Sequence, residues 1–287
     1  MAKETPALIE EKSQTVTINV EKLFVPGAIL LSGLLIASTL LFSLNNIATA
    51  VKGITITTTA ATTTTPPAVA GTTAVTIDQV KALFSIPNVI KYGDSNAKVT
   101  FVEFSDPSCP YCHIAGGLDG PLNTSAGDQF KLVADGGTYL APVPEFKKLV
   151  DEGKASYLWV YTNGHGNGEM GTRAIYCGND QGKFWEVHDF FYSDAGYTLQ
   201  NDTIKNDTSK TADLINAMKG KVNGVNLDTL KSCIDSKKFD SKLTEDQAKG
   251  VEFGVQGTPG FFVNTTNYAG AYSYNDMKAT VDAALNS

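Results

Sequence analysis

The sequence predicts an α/β domain with a helical insertion, set behind an apolar segment of membrane-spanning length and a threonine-rich tether. Three observations carry that expectation. Two stretches rich in aromatic and β-branched residues, 99–104 and 155–162, read as strands. A block with helical spacing of apolar residues runs from 170 to about 252. After it, TPGFFVN supplies a short strand, YAGAYS is a further strand candidate, and YNDMKATVDAAL closes the chain as a helix.

The 287 residues suffice for one large domain or two modest ones. A net charge of −7, with charged residues at 18 %, argues against nucleic-acid binding, which needs a basic patch or stripe.

From the N-terminus, residues 1–23 form a polar tail. FVPGAILLSGLLIASTLLFSL, residues 24–44, holds no charged residue and is about as long as the ~20 residues that cross a bilayer core. A cleavable secretory signal is the alternative, because Ala48-Thr49-Ala50 follows as a small-residue pattern. The apolar run exceeds the roughly 7 to 15 residues of a signal core, which favours an uncleaved anchor. Lys3, Lys12 and Lys22 precede the run and Lys52 follows it, so the positive-inside rule places the N-terminus in the cytoplasm. The expectation is therefore a single-pass cell-membrane protein with tail 1–23, anchor 24–45, Thr/Pro-rich linker 46–75 and an extracytoplasmic domain 76–287. Its helical insertion spans about 168–252. The linker, ITITTTAATTTTPPAVAGTTAVT at its centre, buries too little apolar surface to offset the entropy of ordering it.

The domain opens with TIDQVKALFS, where Thr76 and Gln79 have capping-box spacing. AKVTFVEFSDPSCPYC then reads as strand, turn and helix start. Residues 116–153, with paired glycines and APVPEFKKLV, read as an inserted loop carrying a short helix. Ala174, Ile175, Phe184, Trp185, His188 and Phe191 follow helical spacing, interrupted near Gly178 and Gly182. SKTADLINAMKG, LDTLKSCIDS and LTEDQAKGVEFG repeat the pattern. Asn-x-Ser/Thr triplets at Asn123, Asn201, Asn206 and Asn264 matter only in a host that glycosylates.

Cys109 and Cys112 form a Cys-Pro-Tyr-Cys unit at a helix start. Orphan N–H groups and the positive end of the helix dipole favour a thiolate on Cys109. Cys112, one turn on, can resolve a mixed disulfide. Pro110 suits the first turn, and Tyr111 brings no charge, so the dipole is expected to carry most of the shift. Zinc wants four ligands, and the remaining Cys177 and Cys233 stand alone among scattered histidines, so no metal is expected. Outside the cytosol, where unpaired thiols oxidise, a Cys177–Cys233 bridge is expected over two separate buried thiols. Thr258-Pro259, between a glycine and a strand, marks a turn or a cis bond.

VTFVEFSDPSCPYC, DQGKFWEVHDFFYS and GVQGTPGFFVN, in this order, resemble the DsbA-like thiol:disulfide oxidoreductases, in particular their membrane-anchored or secreted bacterial members. The resemblance covers most of the chain from Thr76 onward. It implies a thioredoxin fold with the helical domain inserted between its β-α-β and β-β-α halves. It implies Cys109 as exposed nucleophile, Cys112 as buried resolving thiol, and Glu103 as the buried acid that relays protons to it. Pro259 would be the cis-proline facing the disulfide. Thr258, with Pro110 and Tyr111, would meet an extended substrate. The Cys177–Cys233 pair also has counterparts in related members. No cofactor is implied beyond the redox-active disulfide. The implied partners are reduced or unfolded exported proteins and a membrane quinone-linked reoxidase or small thiol oxidant.

Tyr111 occupies the slot that in the family's strongest oxidants holds a histidine, and His113 lies just outside the pair. This leaves an oxidase and an isomerase or reductase both open. A stalked cell-surface binding protein with purely structural disulfides is the alternative from another class. His165 in NGHGNGE reads as a loop residue, His188 as a packed helix histidine, and the aromatics of FWEVHDFFY as core.

Overall fold

A computed structural model describes residues 74–287. The tail, the 24–45 segment and nearly all of the 46–75 linker lie outside the described residues. Among those described, no helix is long and apolar enough to cross a membrane.

The sheet is organised around β2 (Val99–Ser105) and β3 (Ala155–Tyr161), paired parallel from Val99 opposite Ala155 to Ser105 opposite Tyr161. Every residue of both strands is buried, which is why the sequence shows near-continuous apolar runs there and not alternation. β1 (Ile90–Tyr92) pairs antiparallel with β3, β4 (Gly260–Val263) antiparallel with β2, and β5 (Thr266–Ala269) antiparallel with β4. The order among the described residues is β1-β3-β2-β4-β5. β1 was not anticipated, since three residues carry no readable period. β5 starts ahead of YAGAYS because the hairpin turn falls at Asn264, which takes φ 52°. The Asn264 side chain accepts from the Thr100 N–H at 2.8 Å and donates to the Lys98 carbonyl at 3.0 Å, tying the hairpin to the start of β2.

Alternation along the strands divides the core. Val102, Phe104, Leu158, Val160 and Phe262 face a layer formed by α1 (Ile77–Ala82), the turn after it, and Phe253. The N-terminus of α1 carries the Thr76–Gln79 capping box, with both reciprocal bonds present. Phe101, Tyr157, Trp159 and Phe261 face the other, larger layer. Glu103 and Ser105 share the parity of Phe101 and so are directed to that layer.

The larger layer starts with α2 (Pro110–Gly116). Residues 116–153 contain more helix than expected: α3 (Gly120–Ser125), two 3₁₀ turns and the ten-residue α4 (Pro142–Asp151). Phe146 of α4 stacks on Phe101 at 4.0 Å, so part of this segment is core. The helical insertion follows β3 as α5 (Glu169–Asn179), α6 (Phe184–Phe191), α7 (Asp194–Thr198), a π-helical turn over Leu199–Ile204, α8 (Thr211–Met218), α9 (Leu227–Asp235) and α10 (Asp240–Glu252). Cys177 of α5 and Cys233 of α9 are joined as a disulfide with Cα atoms 5.9 Å apart. α11 (Tyr274–Leu285) packs against β2 and β4.

Candidate active site

Cys109 caps the N-terminus of α2, and its carbonyl receives the N–H groups of Cys112 and His113 at 3.1 and 3.2 Å. Pro110 follows at N1, where its missing N–H costs nothing. Both thiols are free, Cys109 retaining 5 % exposure and Cys112 none. Cys109 is thus the more accessible of the two but is not the exposed thiol the resemblance implied, because the loop ending in Thr258 lies against it. The Cys109 thiol donates to the Thr258 carbonyl at 3.3 Å, and the Thr258–Pro259 peptide is cis.

The two thiols have opposite proton affinities. The Cys109 pKa is lowered from 9.0 to about 6, first by the hydrogen bond from the Cys112 thiol, against a desolvation penalty, then by contacts with Thr258 and the amides of Cys112 and Tyr111. The largest lowering therefore comes from the Cys112 thiol and not, as expected, from the helix start, whose amides contribute least. Cys112 is pushed well above 9.0, chiefly by burial and then by Cys109 itself. Its sulfur accepts from the Asp106 N–H at 3.5 Å.

The turn before the cysteines is held by a set of hydrogen bonds. Asp106 Oδ1 accepts from the amide and hydroxyl of Ser108 at 2.8 and 2.7 Å. Its Oδ2 accepts from the amides of Gly164 and His165, both at 2.8 Å. That carboxylate clamps the NGHGNGE loop over Thr258. Glycine is required at 164, since a Cβ there would fall 1.8 Å from Thr258 Oγ1. His165 contributes its main chain to the site, and its side chain is exposed. Asn201 Nδ2 donates to the Ser108 carbonyl and Asn206 Nδ2 to the Gly166 carbonyl. Asn123 Nδ2 donates to the carbonyls of Ile114 and Phe130. With Asn264, all four triplet asparagines therefore use their amides in the fold.

His113 and His188 lie beneath the pair. His113 Nε2 contacts the Pro107 carbonyl at 2.8 Å, an acceptor, which assigns the proton to that nitrogen. Burial lowers its pKa to about 4, so it is neutral and brings no cation to Cys109. Its 3.7 Å approach to Asp119 is accordingly not an ion pair. His188 is buried and stacks on Tyr192 at 4.0 Å. Glu103, fully buried, accepts from the Tyr157 hydroxyl at 2.6 Å. Desolvation raises its pKa, opposed by His188, Tyr157 and Ser105. Phe184, Phe190, Phe191 and Tyr192 are core, and Trp185 packs half-buried on Tyr157 at 5.4 Å.

At the rim, Tyr111 is 50 % exposed and meets Phe130 edge-on at 5.9 Å. Phe130 lines a recess of about 280 Å³ with Tyr139 and the segment after β5. A larger groove of about 750 Å³ flanks Thr258 but is lined by Phe253, Val255 and Phe262, on the sheet face opposite the cysteines. Among the described residues, no three His, Cys, Asp or Glu side chains cluster as metal ligands.

Geometry thus brings together Cys109, Cys112, Pro110, Tyr111, Thr258 and Pro259, with Glu103 buried on the strand that leads into them. Cys177 and Cys233 sit apart in the insertion. Sequence reasoning missed Asp106, Ser105, Tyr192 and Phe130. The Ser-Asp-Pro-Ser turn was a usable signal for Asp106, because an Asx side chain commonly organises the turn it opens. The others come into contact only through tertiary packing.

A family model described as thioredoxin matches residues 143–283. Among curated proteins, the Na(+)/H(+) antiporter NhaA 1 of Salinispora arenicola is 25 % identical over 197 residues, 67 % of this chain and 24 % of that protein. Disulfide bond formation protein D of Bacillus subtilis is 23 % identical over 212 residues, 72 % of this chain and 82 % of that protein. The chain spans about a quarter of the length of the first curated relatives it matches. The relatives it covers over most of their length are disulfide bond formation proteins. The crystal structure of oxidised BdbD from Bacillus subtilis is similar, with a TM-score of 0.51 and 22 % identity, over 70 % of this chain and 95 % of that one. At that identity the likeness establishes the fold, a thioredoxin-like α/β domain.

Proposed function

We propose that this thioredoxin-like domain is an extracytoplasmic thiol:disulfide oxidoreductase, tethered to the membrane through residues 24–45, that takes electrons from cysteine pairs of exported proteins. The observation that carries the reading is the unequal setting of the pair: Cys109 at a helix start with its thiol on the Thr258 carbonyl at 3.3 Å, Cys112 sealed in the core. That setting lowers the Cys109 pKa to about 6 and pushes Cys112 well above 9.0. A structural disulfide has no use for such a difference, whereas exchange requires a stable leaving thiolate and a resolving thiol held in reserve.

In the forward direction a substrate thiolate attacks Cys109 Sγ of the Cys109–Cys112 disulfide. That bond breaks and its electron pair leaves on Cys112. A second substrate thiolate then attacks the substrate sulfur of the mixed disulfide, and Cys109 departs as a thiolate. Its low proton affinity stabilises the dithiol product, so the disulfide form is the stronger oxidant. Glu103 serves as the buried proton reservoir. The Thr258 carbonyl, which takes the Cys109 thiol in the dithiol state, offers main-chain hydrogen bonding to an extended substrate beside Pro259. Pro110 and Tyr111 form the rim. Re-oxidation falls to a membrane quinone-linked partner or a small thiol oxidant.

Thiolate absorbance of the reduced protein, titrated with pH, tests the reading together with disulfide transfer to a reduced unfolded polypeptide. A midpoint near 6 with transfer supports it; an ordinary thiol titration without transfer sinks it in favour of the stalked binding protein. Neutral Tyr111 between the cysteines favours a second reading, an isomerase or reductase of the same fold. The reduction potential of the pair separates the two, a thioredoxin-like value near −270 mV favouring the reductase.

A further inference from the structure

We propose that the Ser105 hydroxyl is the group that passes the proton between Glu103 and Cys112, and that Tyr192 of the helical insertion positions it. The inference rests on the oxidoreductase reading above and adds to it a catalytic residue and a positioning residue.

Ser105 is the last residue of β2, fully buried, two positions from Glu103 and on the same side of the strand. Its side chain is directed to the same layer as the Glu103 carboxyl, and the amide of the next residue, Asp106, reaches Cys112 Sγ at 3.5 Å, so Ser105 lies between the acid and the sulfur along the chain. Burial raises the proton affinity of both groups, and Ser105 opposes the rise at each. Its closed hydrogen bond is to a third group, the Tyr192 hydroxyl, at 2.7 Å. Among the described residues Glu103 Oε1 has no partner in bonding geometry, so this oxygen is buried and unpaired, two positions from Ser105 on the same face of the strand. The Asp106 contact to Cys112 Sγ comes from a backbone amide, which does not hand on its proton.

The direction of the Tyr192 bond follows from its surroundings. Trp159 Nε1, a donor only, approaches the Tyr192 oxygen at 3.4 Å. The Tyr192 ring lies between the imidazoles of His113 and His188, at 5.3 and 4.0 Å, both stacked on it. Burial keeps the phenol protonated, and Ser105 Oγ is the acceptor available to that proton. Ser105 then keeps its own proton free to swing between Glu103 and Cys112.

The step balances. When a substrate thiolate attacks Cys109, the Cys109–Cys112 bond breaks and the electron pair leaves on Cys112 Sγ. Ser105 gives its proton to that sulfur and takes one from the protonated Glu103. The products are a Cys112 thiol, a Glu103 carboxylate and a substrate sulfur bound to Cys109. Re-oxidation runs the transfer backwards.

The test is single-turnover oxidation of a reduced, unfolded two-thiol polypeptide by the disulfide form of the full chain, followed against pH. Ser105→Ala is expected to slow the step on the order of 100-fold and to remove the pH limb that Glu103→Gln also removes. The double variant should be no slower than the slower single, since the two residues act as a unit. Ser105→Thr should restore rate and limb. Tyr192→Phe should cost about tenfold and displace the limb, and it carries the test if Ser105→Ala fails to fold in a melting curve. A wild-type rate and pH profile in the folded Ser105→Ala or Tyr192→Phe protein, or fully additive losses with Glu103→Gln, overturns this inference alone. A wild-type chain that transfers no disulfide overturns the functional reading and this inference with it.

Discussion

Cys177 and Cys233 close a bridge across 56 positions of sequence between α5 and α9, whereas Cys109 and Cys112 stand one helical turn apart with both thiols free. The first pair removes much of the freedom of the unfolded insertion, an effect that grows with the logarithm of the closed loop and is about 4 kcal/mol at this length. The second closes so small a loop that it restrains little. What it has instead is unequal surroundings: Cys109 at a helix start beside a main-chain carbonyl, Cys112 sealed in the core. Loop length suits a pair to stability; asymmetry of environment suits it to exchange.

Substitutions can break that division from either side. Cys109→Ser should reduce disulfide transfer to the uncatalysed level with little change in unfolding of the reduced protein below pH 6, where the thiolate adds no stability, whereas the paired change Cys177→Ser with Cys233→Ser should leave transfer near wild type. Denaturant unfolding of the latter should show a loss of about 4 kcal/mol. A paired variant that unfolds at the wild-type midpoint would remove the structural half of the contrast.

The redox pair has its own dependence on pH. Cys109 has its pKa near 6 when folded, against an ordinary 9.0, so between those values the folded dithiol binds fewer protons than the unfolded chain. Its stability relative to the disulfide form, which has no thiol there to titrate, should therefore rise from pH 6 to 9 by about 1.4 kcal/mol per unit and be lost as pH falls through 6. Cys112 acts in the opposite sense only above 9.0. Thermal melts of both redox forms across this range check the slope.

Two smaller effects sharpen the picture. Glu103→Gln keeps an acceptor for Tyr157 and removes a carboxyl whose pKa is raised by burial, so it should stabilise the protein at neutral pH, read as a higher denaturant midpoint. Tyr111→His places a ring able to carry charge in the exposed dipeptide. It should lower the Cys109 pKa by up to about one unit and move the reduction potential by about 30 mV toward oxidation. Equilibration with glutathione measures the latter.

The parts of this organisation that were legible in the sequence share a local cause. β2 and β3 were readable because strands buried on both faces need unbroken apolar runs, and Thr76 with Gln79 because a capping box is complete within four residues. The approach of Thr258-Pro259 to Cys109 could be expected only from the joint presence of the two motifs, 149 positions apart. β1 was too short to show a period. The helical content of 116–153 was obscured by glycines and prolines that punctuate its turns, although Pro142 in fact opens α4 at a position where proline is at home. The contact between Ser105 and Tyr192 joins a strand end to a helix end across 87 positions, and nothing in either neighbourhood announces it.

That last contact bears on how such a domain can be taken apart. The helices between β3 and β4 read in one dimension as an add-on spliced into a smaller domain, a module that engineering could trim. Tyr192 makes them structural kin of the sheet: its ring fills the space under α2 between two imidazoles, and its oxygen touches the strand that carries Glu103. Excising the insertion would open the floor of the cysteine site to solvent. A minimised version of this protein would have to keep α6 and its terminal tyrosine, however many of the outer helices were discarded.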